Sequence, residues 1–207
     1  MEIGILGSGN IGGNLARLFA RAGHHVRIAN SRGPESLRSL VASIGENAEA
    51  STPQDAVDKA DLVVVAVPWT KREEVLGETG PFDDKIVVDA MNPYTEDFEI
   101  EDLDRTSSEV TRGLVPGALV VKAFNTIFYK RLADEGKPKG APGRLAIPVA
   151  GDDPGAKQVV MDLIDAIGFD PVDNGGLKEG GRKQQPGSPI YNNPIGAADM
   201  KDRLARI

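Results

Sequence analysis

Six residues near the N-terminus constrain the fold of this chain more than any other feature. They read Gly7-Ser8-Gly9-Asn10-Ile11-Gly12, which is the spacing G-x-G-x-x-G. The run follows an apolar strand pattern, Glu2–Leu6, and opens a helical pattern that ends before Gly23. Because a dinucleotide-binding turn needs this strand before it and this helix after it, the sequence predicts such a site rather than an ordinary glycine turn.

Each glycine of the run has its own physical role in such a motif. Gly7 permits the tight turn, Gly9 lets the backbone approach a pyrophosphate, and Gly12 lets the helix pack closely on the strand. The unpaired N–H groups at the helix N-terminus then bind the anion. We therefore expect the pyrophosphate of a dinucleotide at this turn.

Short apolar runs alternate with helical patterns along the chain, as in a sheet covered by helices on both faces. We predict strands over Glu2–Leu6, His25–Ala29, Ala48–Ser51, Asp61–Val67, Lys85–Asp89, Leu119–Phe124, Leu145–Ala150 and Asp170–Asp173. We predict helices over Asn10–Ala22, Pro34–Ile44 and Pro154–Ile167, N-caps at Thr52 and Asp153, and long loops over Met91–Asp104 and Gly136–Gly143. The expected fold class is α/β, a Rossmann-type doubly wound and mostly parallel sheet.

The chain is expected to form a single domain with a small C-terminal extension. Its 207 residues suffice for one full core, which we assign to residues 1–177. Residues 178–207 form a weakly patterned tail that is rich in glycine, proline and polar side chains. Because Ile190 and Tyr191 would gain by burial, we expect this tail to pack on the domain or on a partner subunit.

Composition excludes several classes of protein. The chain has no cysteine, so disulfides and thiolate catalysis are excluded, and two adjacent histidines favour no metal site. The net charge of −7 disfavours nucleic-acid binding, which needs a basic face. No apolar run approaches the roughly 20 residues of a membrane helix, and the N-terminus lacks the basic segment of a signal peptide. We expect a cytoplasmic protein that binds neither nucleic acid nor membrane.

The residues after the second predicted strand indicate which dinucleotide is bound. An NAD site usually has Asp or Glu there to bind the ribose 2′-hydroxyl, whereas this chain has Asn30-Ser31-Arg32. Arg32 can pair with a 2′-phosphate, and Ser31 can donate a hydrogen bond to it. The alternative is a solvated arginine beside a turn serine. The sequence favours NADP(H), because no carboxylate follows this strand until Glu35.

Further candidates stand where later strands end, because ligands of open parallel sheets bind outside the carboxyl ends. They are Val67, Pro68, Met91, Asn92, Ala123, Asn125 and Thr126. The amides Asn92 and Asn125 suit a nicotinamide carboxamide or a second substrate. Trp69 and Phe124 either wall this pocket or pack in the core, and residue type alone does not decide between the two.

No Ser–His–Asp set or Lys–His pair stands out, so we assign neither a catalytic residue nor a metal site. Asp61 and Asp89 stand at strand ends, where solvated caps are expected. His24 and His25 are expected on the surface ahead of a strand. Hydride transfer between two redox cofactors needs no protein acid or base, because the protein supplies orientation and excludes water.

Several runs follow one another in an order typical of one family: Gly7–Gly12, Ser31-Arg32, Val67-Pro68-Trp69, Lys85–Val88, Val121–Ile127, Ala150–Asp153 and Val160–Ile164. Over about residues 1–177 the chain resembles the deazaflavin (coenzyme F-420)-dependent NADP oxidoreductases. It is also similar to the NADPH-binding domain of the STEAP metalloreductases, above all in the run Lys-Ala-Phe-Asn-Thr. The polar segment Gly180–Tyr191 departs from the archaeal-type deazaflavin enzymes, which end in an apolar helical segment.

The resemblance implies hydride transfer between NADPH and a deazaflavin (coenzyme F-420) or a flavin as co-substrate. Carried over by position, Ser8–Ile11 hold the pyrophosphate, and Ser31 and Arg32 hold the 2′-phosphate. The partner is then a small-molecule redox acceptor, and we expect the assembly to be a homodimer.

The resemblance also assigns the nicotinamide end of the site. Val67, Pro68 and Ala123 would line the nicotinamide pocket, and Asn125 would lie near the meeting point of the two rings. Because no catalytic base is evident, a non-catalytic NADP(H)-binding module that senses redox state or serves a partner protein remains the alternative.

Overall fold

The computed structural model describes residues 1–207 and contains one eight-stranded sheet. Its strands are β1 Glu2–Leu6, β2 His25–Ala29, β3 Ala48–Ala50, β4 Leu62–Val65, β5 Ile86–Asp89, β6 Leu119–Lys122, β7 Ala146–Gly151 and β8 Asp170–Asp173. The order across the sheet is β3-β2-β1-β4-β5-β6-β7-β8, and only the β6–β7 pair is antiparallel. The predicted Rossmann-type, mostly parallel sheet is confirmed, with strand ends that differ from the predicted ones by at most two residues.

Nine α-helices accompany the sheet. They are α1 Asn10–Arg21, α2 Arg38–Ile44, α3 Pro53–Asp58, α4 Arg72–Gly77, α5 Ser107–Leu114, α6 Tyr129–Asp134, α7 Pro154–Ala166, α8 Leu177–Lys183 and α9 Ala197–Leu204. Thr52 and Asp153 cap α3 and α7 as predicted, each accepting a backbone hydrogen bond from the residue three positions on. None of the helices is long and apolar enough to cross a membrane.

The helices cover both faces of the sheet, and the central strand β4 shows how. Leu62 and Val64 belong to one core cluster, with side chains of α1 and α7, whereas Val63 and Val65 belong to a second, with α3 and α4. Because side chains alternate across a strand, the two clusters lie on opposite faces. Burial on both faces explains why β4 is an unbroken apolar run.

The predicted helix Pro34–Ile44 is divided in the structure. A 3-10 turn covers Pro34–Leu37, and α2 starts only at Arg38. The Ser36 hydroxyl donates to the Gly33 carbonyl and contacts the Asn30 side chain. Such a local side-chain bond competes with regular helix formation, which accounts for the tighter first turn.

The C-terminal segment carries two helices, α8 and α9, that the sequence pattern did not predict. Gly180 makes α8 fit: a Cβ there would come within 2.4 Å of the Asn174 carbonyl oxygen and 2.6 Å of the Ala150 Cβ. Further along, Ile190, Met200 and Leu204 form a small apolar cluster on the β7–β8 edge. Glycine in α8 therefore serves close packing, although in the sequence it indicates a loop.

Candidate functional site

The glycine turn after β1 is tightly held by its neighbours. Gly7 has a φ of 107°, and its N–H donates to the Ala29 carbonyl oxygen over 2.9 Å. A Cβ at Gly7 would lie 2.3 Å from the Ala66 carbonyl oxygen, and one at Gly12 would lie 1.9 Å from the Gly7 carbonyl oxygen. Backbone conformation and space thus both require glycine at Gly7, and close helix packing requires it at Gly12.

Gly9 differs from these two glycines because it faces open space. Its φ is −73°, which any residue adopts, and an added Cβ would meet no atom within 4 Å. Gly9 is the N-cap of α1, and no side chain caps that helix end. The N–H groups of the first turn, around Asn10 and Ile11, are therefore available to a ligand.

A cleft of about 320 Å³ opens at this helix end. Its walls contain polar side chains, two arginines and no carboxylate: Ser8, Gly9, Asn10, Gly13, Asn14, Arg17, Arg32, Ser36, Leu37 and Leu40. Sequence reasoning missed Arg17, whose guanidinium donates to the Gly13 carbonyl oxygen over 3.2 Å. Arg17 lies one helical turn after Gly13 on α1, and this spacing could have indicated that the two residues share a face of the helix.

Asn30, directly after β2, connects the two halves of this cleft. Its Nδ2 donates to the Ser8 hydroxyl over 3.0 Å and to the Ser36 hydroxyl over 3.1 Å. Its Oδ1 accepts the Arg32 backbone N–H over 2.9 Å. Asn30 thus fixes the loop that carries Ser31 and Arg32, both exposed, relative to the glycine turn.

The candidates after β4, β5 and β6 meet at the same edge of the sheet, because these strands are parallel neighbours. Asn92 and Asn125 form a reciprocal pair: Asn125 Nδ2 donates to Asn92 Oδ1, and Asn92 Nδ2 donates to the Asn125 carbonyl oxygen, each over 3.0 Å. Val67 lies beside Gly7, half-buried. The order of the strands therefore brings the predicted amides together.

The remaining candidates at this edge differ in exposure. Pro68 is exposed, whereas Met91 and Ala123 are buried. Asn125 Oδ1 is buried and accepts no hydrogen bond, and the Gln184 carboxamide is likewise buried without a partner. Such unpaired polar groups are costly in a protein interior unless a ligand or water satisfies them.

The expectation that Asp89 is a solvated cap is wrong. Asp89 is fully buried and pairs with the equally buried Lys122 over 3.2 Å. Ser108 and Thr111 donate to its carboxylate from α5, a helix that the sequence pattern did not indicate. Lys122 also donates to the Met91 carbonyl oxygen, so this buried network supports the loop that carries the candidate residues. Burial lowers the pKa of Lys122, and the Asp89 carboxylate opposes that shift.

Trp69 and Phe124 pack in the core, which is the second of the two alternatives that the sequence left open. Trp69 is 2% exposed, its indole N–H donates to Glu101, and the Arg72 guanidinium lies 4.0 Å above its ring. Phe124 is 1% exposed and stacks edge-on against Phe19. Its φ of 66° is unusual for a bulky residue, and it turns the chain at the end of β6, directly before Asn125.

The chain has recognisable relatives among known proteins. Residues 2–93 match the family model described as NADP oxidoreductase coenzyme F420-dependent. A hypothetical protein, SMa0349, from Sinorhizobium meliloti is 38% identical, with a TM-score of 0.86 over 94% of this chain and 95% of that one. A protein from Arthrobacter sp. FB24, provisionally assigned as an F420-dependent NADP-reductase, is 27% identical, with a TM-score of 0.73 over 86% of each chain.

Curated relatives share parts of their length with this chain. Metalloreductase STEAP3 of Rattus norvegicus is 31% identical over 176 residues, which are 85% of this chain and 34% of that protein. Protein YjhV of Escherichia coli is 54% identical over 63 residues, which are 30% of this chain and 45% of that protein. The chain therefore spans about a third of the metalloreductase and less than half of the second relative.

Proposed function

We propose that this chain, which belongs to the NADP-dependent oxidoreductase family, transfers hydride between NADPH and a deazaflavin or flavin-type acceptor. The observation that carries this proposal is the open cleft at Gly9, lined by two arginines and no carboxylate. Bound NADPH would supply the hydride. The residues of the chain would bind the cofactor, orient its nicotinamide and exclude water.

The cleft suits the phosphates of NADP(H). A pyrophosphate must come close to backbone N–H groups, and the open space beside Gly9 allows this approach to the start of α1. A 2′-phosphate needs cations, and Arg32 and Arg17 are the two that line the cleft. With no carboxylate among the lining residues, nothing there selects for the ribose 2′-hydroxyl of NAD.

The amide pair beyond the cleft suits the nicotinamide. In open sheets the dinucleotide lies across the carboxyl ends of the strands, with its pyrophosphate at the first helix. Asn92 and Asn125 stand at that edge, after β5 and β6, which lie two and three strands from β1 across the sheet. The unpaired Asn125 Oδ1 would accept a hydrogen bond from the carboxamide, which removes the cost of its burial.

Replacing Arg32 by alanine should weaken NADPH binding about tenfold or more, because a charge-assisted pair with phosphate contributes about 1.5–3 kcal/mol. NADH lacks the 2′-phosphate, so its dissociation constant should hardly change. Arg38→Ala is the matched control, since Arg38 is exposed nearby, pairs with Glu35 and does not line the cleft. Calorimetric titration of each protein with each cofactor measures both constants.

Equal losses of NADPH and NADH affinity in the Arg32 variant would contradict the NADP assignment. So would a wild-type protein that binds NADH as tightly as NADPH. If Arg38→Ala weakened NADPH binding as much as Arg32→Ala, the effect would be one of general surface charge rather than of a phosphate site.

A panel of acceptors tests the redox function. We expect the protein to oxidise NADPH with a deazaflavin, FMN or FAD, and we include ferric chelates because metalloreductases are among the curated relatives. Binding of NADPH without oxidation by any acceptor would favour the non-catalytic module instead. The homodimer and the cytoplasmic location stay predictions, which light scattering and cell fractionation can check.

A further inference from the structure

Two tyrosine hydroxyls meet beside the amide pair. Tyr94 lies in the loop after β5, and Tyr191 lies in the C-terminal segment, 97 residues further on. Their hydroxyl oxygens are 3.2 Å apart, and Asn92 Nδ2 is 3.3 Å from the Tyr191 hydroxyl. Both rings are partly exposed. The acceptor side of the candidate site therefore contains groups that carry an exchangeable proton.

The direction of each hydrogen bond follows from the backbone carbonyls that surround the two amides. Asn125 Nδ2 lies 2.7 Å from the Gln184 carbonyl oxygen, which can only accept, so this atom of Asn125 must be the nitrogen. It then donates to Asn92 Oδ1. The other terminal atom of Asn92 is therefore its nitrogen, and it donates to the Asn125 carbonyl oxygen and to the Tyr191 hydroxyl.

Of the two phenol protons in this pair, one makes no hydrogen bond within the protein. The Tyr191 oxygen accepts from Asn92, and the two phenols share a single hydrogen bond between them. Neither hydroxyl has another protein partner. Two phenols carry two protons, and only one of these is used within the pair. Because Tyr94 donates to Tyr191, the O–H of Tyr191 is the one that remains for a ligand or for solvent.

The segment that carries Tyr191 is anchored on the domain on both sides of this residue. The preceding Ile190 is fully buried in the cluster on the β7–β8 edge. The following Asn192 donates its backbone N–H to the Thr126 carbonyl oxygen over 2.8 Å. Thr126 itself follows β6, so the Tyr191 hydroxyl is held at the edge of the sheet where we expect the nicotinamide.

We propose that the Tyr94–Tyr191 pair is the proton donor to the acceptor when hydride is transferred. This inference rests on the proposed function. The hydride leaves the nicotinamide ring with its electron pair and forms a C–H or N–H bond on the acceptor. The acceptor's displaced electron pair moves to a nitrogen or oxygen, which takes the proton from the free phenol. NADP⁺ and the reduced acceptor result, and solvent returns a proton to the pair.

The surroundings of Tyr191 keep its phenol protonated, as a proton donor requires. Burial and the neighbouring Tyr94 hydroxyl raise the pKa of Tyr191 above its usual value. The group is thus protonated at neutral pH. Asn92, which donates to the phenol oxygen and not to the acceptor, acts as a positioning residue that would also stabilise a transient phenolate.

Tyr191→Phe tests the inference, because it removes only the hydroxyl. We expect kcat for NADPH oxidation with FMN to fall about a hundredfold, as for loss of a general acid, and the solvent deuterium isotope effect to change. The dissociation constant of NADPH should stay the same. Tyr129→Phe is the matched control: it removes the third tyrosine hydroxyl of the chain, on α6, and should leave kcat unchanged.

A second readout does not depend on turnover. In a titration followed by phenolate absorbance, the wild type should show one phenol that ionises later than the others. Tyr191→Phe should lack this last step, and Tyr129→Phe should keep it. FMN should also bind several-fold more weakly to the NADP⁺-loaded Tyr191→Phe protein, because a hydrogen bond to the acceptor is lost.

The outcomes separate the two proposals. If the wild type oxidises NADPH and Tyr191→Phe does so at the same rate with the same solvent isotope effect, the proton-donor role is wrong and the proposed function stands. If the wild type does not oxidise NADPH with any of the acceptors tested, the proposed function is wrong, and the proton-donor role is wrong with it. A Tyr191→Phe protein that loses NADPH affinity together with kcat would indicate a cofactor-binding residue and would also overturn the inference.

Discussion

Replacing Gly9 by valine should abolish NADPH binding and leave the fold intact. A Cβ at Gly9 meets no protein atom within 4 Å, and the φ of −73° suits any residue, so the folded chain accommodates the side chain. The same side chain fills the space that a pyrophosphate would need at the start of α1. Loss of two charge-assisted hydrogen bonds, at about 1.5–3 kcal/mol each, corresponds to roughly a hundredfold weaker binding or more.

Gly12→Val is the informative contrast to this variant. A Cβ at Gly12 would lie 1.9 Å from the Gly7 carbonyl oxygen and 3.3 Å from the Ile5 side chain, so strand and helix would have to separate. We expect this protein to unfold or to express poorly. Calorimetric titration with NADPH, together with thermal unfolding, distinguishes loss of binding from loss of fold. A Gly9→Val protein that binds NADPH normally would contradict the glycine-turn site.

Replacing Lys122 by methionine should lower the free energy of unfolding by about 3–5 kcal/mol, because it leaves a buried carboxylate without its counter-charge. Asp89 and Lys122 are both fully buried. A loss of this size is a large part of the 5–15 kcal/mol that typically stabilises a domain. The Met91 loop also loses the hydrogen bond that Lys122 donates to its carbonyl, so NADPH binding should weaken in the protein that remains folded.

Two further variants control for this result. Lys59→Met removes the surface pair with Asp55, in which both side chains are about half exposed, and should lower the free energy of unfolding far less than Lys122→Met does. The double variant Asp89→Asn/Lys122→Met removes both buried charges and should recover part of the stability that Lys122→Met loses. Urea unfolding of the four proteins measures these differences. Equal losses for Lys122→Met and Lys59→Met would contradict the buried ion pair.

The parts of the site that were predictable from sequence are those that a short stretch of chain determines. At Gly7, one position must satisfy both a positive φ and a close backbone contact, so only glycine fits and the motif is recognisable. The loop after β2 is similar, because the residues that we propose to bind the 2′-phosphate follow a strand directly. Strand order then brings Asn92 and Asn125 together without any long-range signal in either segment.

The parts that were not predictable depend on partners far apart in the chain. In the sequence, Asp89 looks like an ordinary residue at the end of a strand. Only its contacts with the hydroxyls of α5 and with the buried Lys122 make it part of a core network. Tyr94 and Tyr191 are 97 residues apart, and no periodicity connects them. The low helix propensity of Gly180 predicts a loop where the structure has α8. Glycine is required there because the helix packs closely on Ala150.

Single-turnover oxidation of NADPH deuterated at the hydride-carrying carbon of the nicotinamide tests the central claim most directly. The protein is loaded with NADPH labelled on one face or the other of the ring and mixed with a deazaflavin or with FMN. If this chain transfers hydride from a cofactor held in one orientation across the sheet edge, one of the two labels slows the reaction and the other does not. If neither label slows the reaction, or if no acceptor oxidises the bound NADPH, hydride transfer by this chain is contradicted.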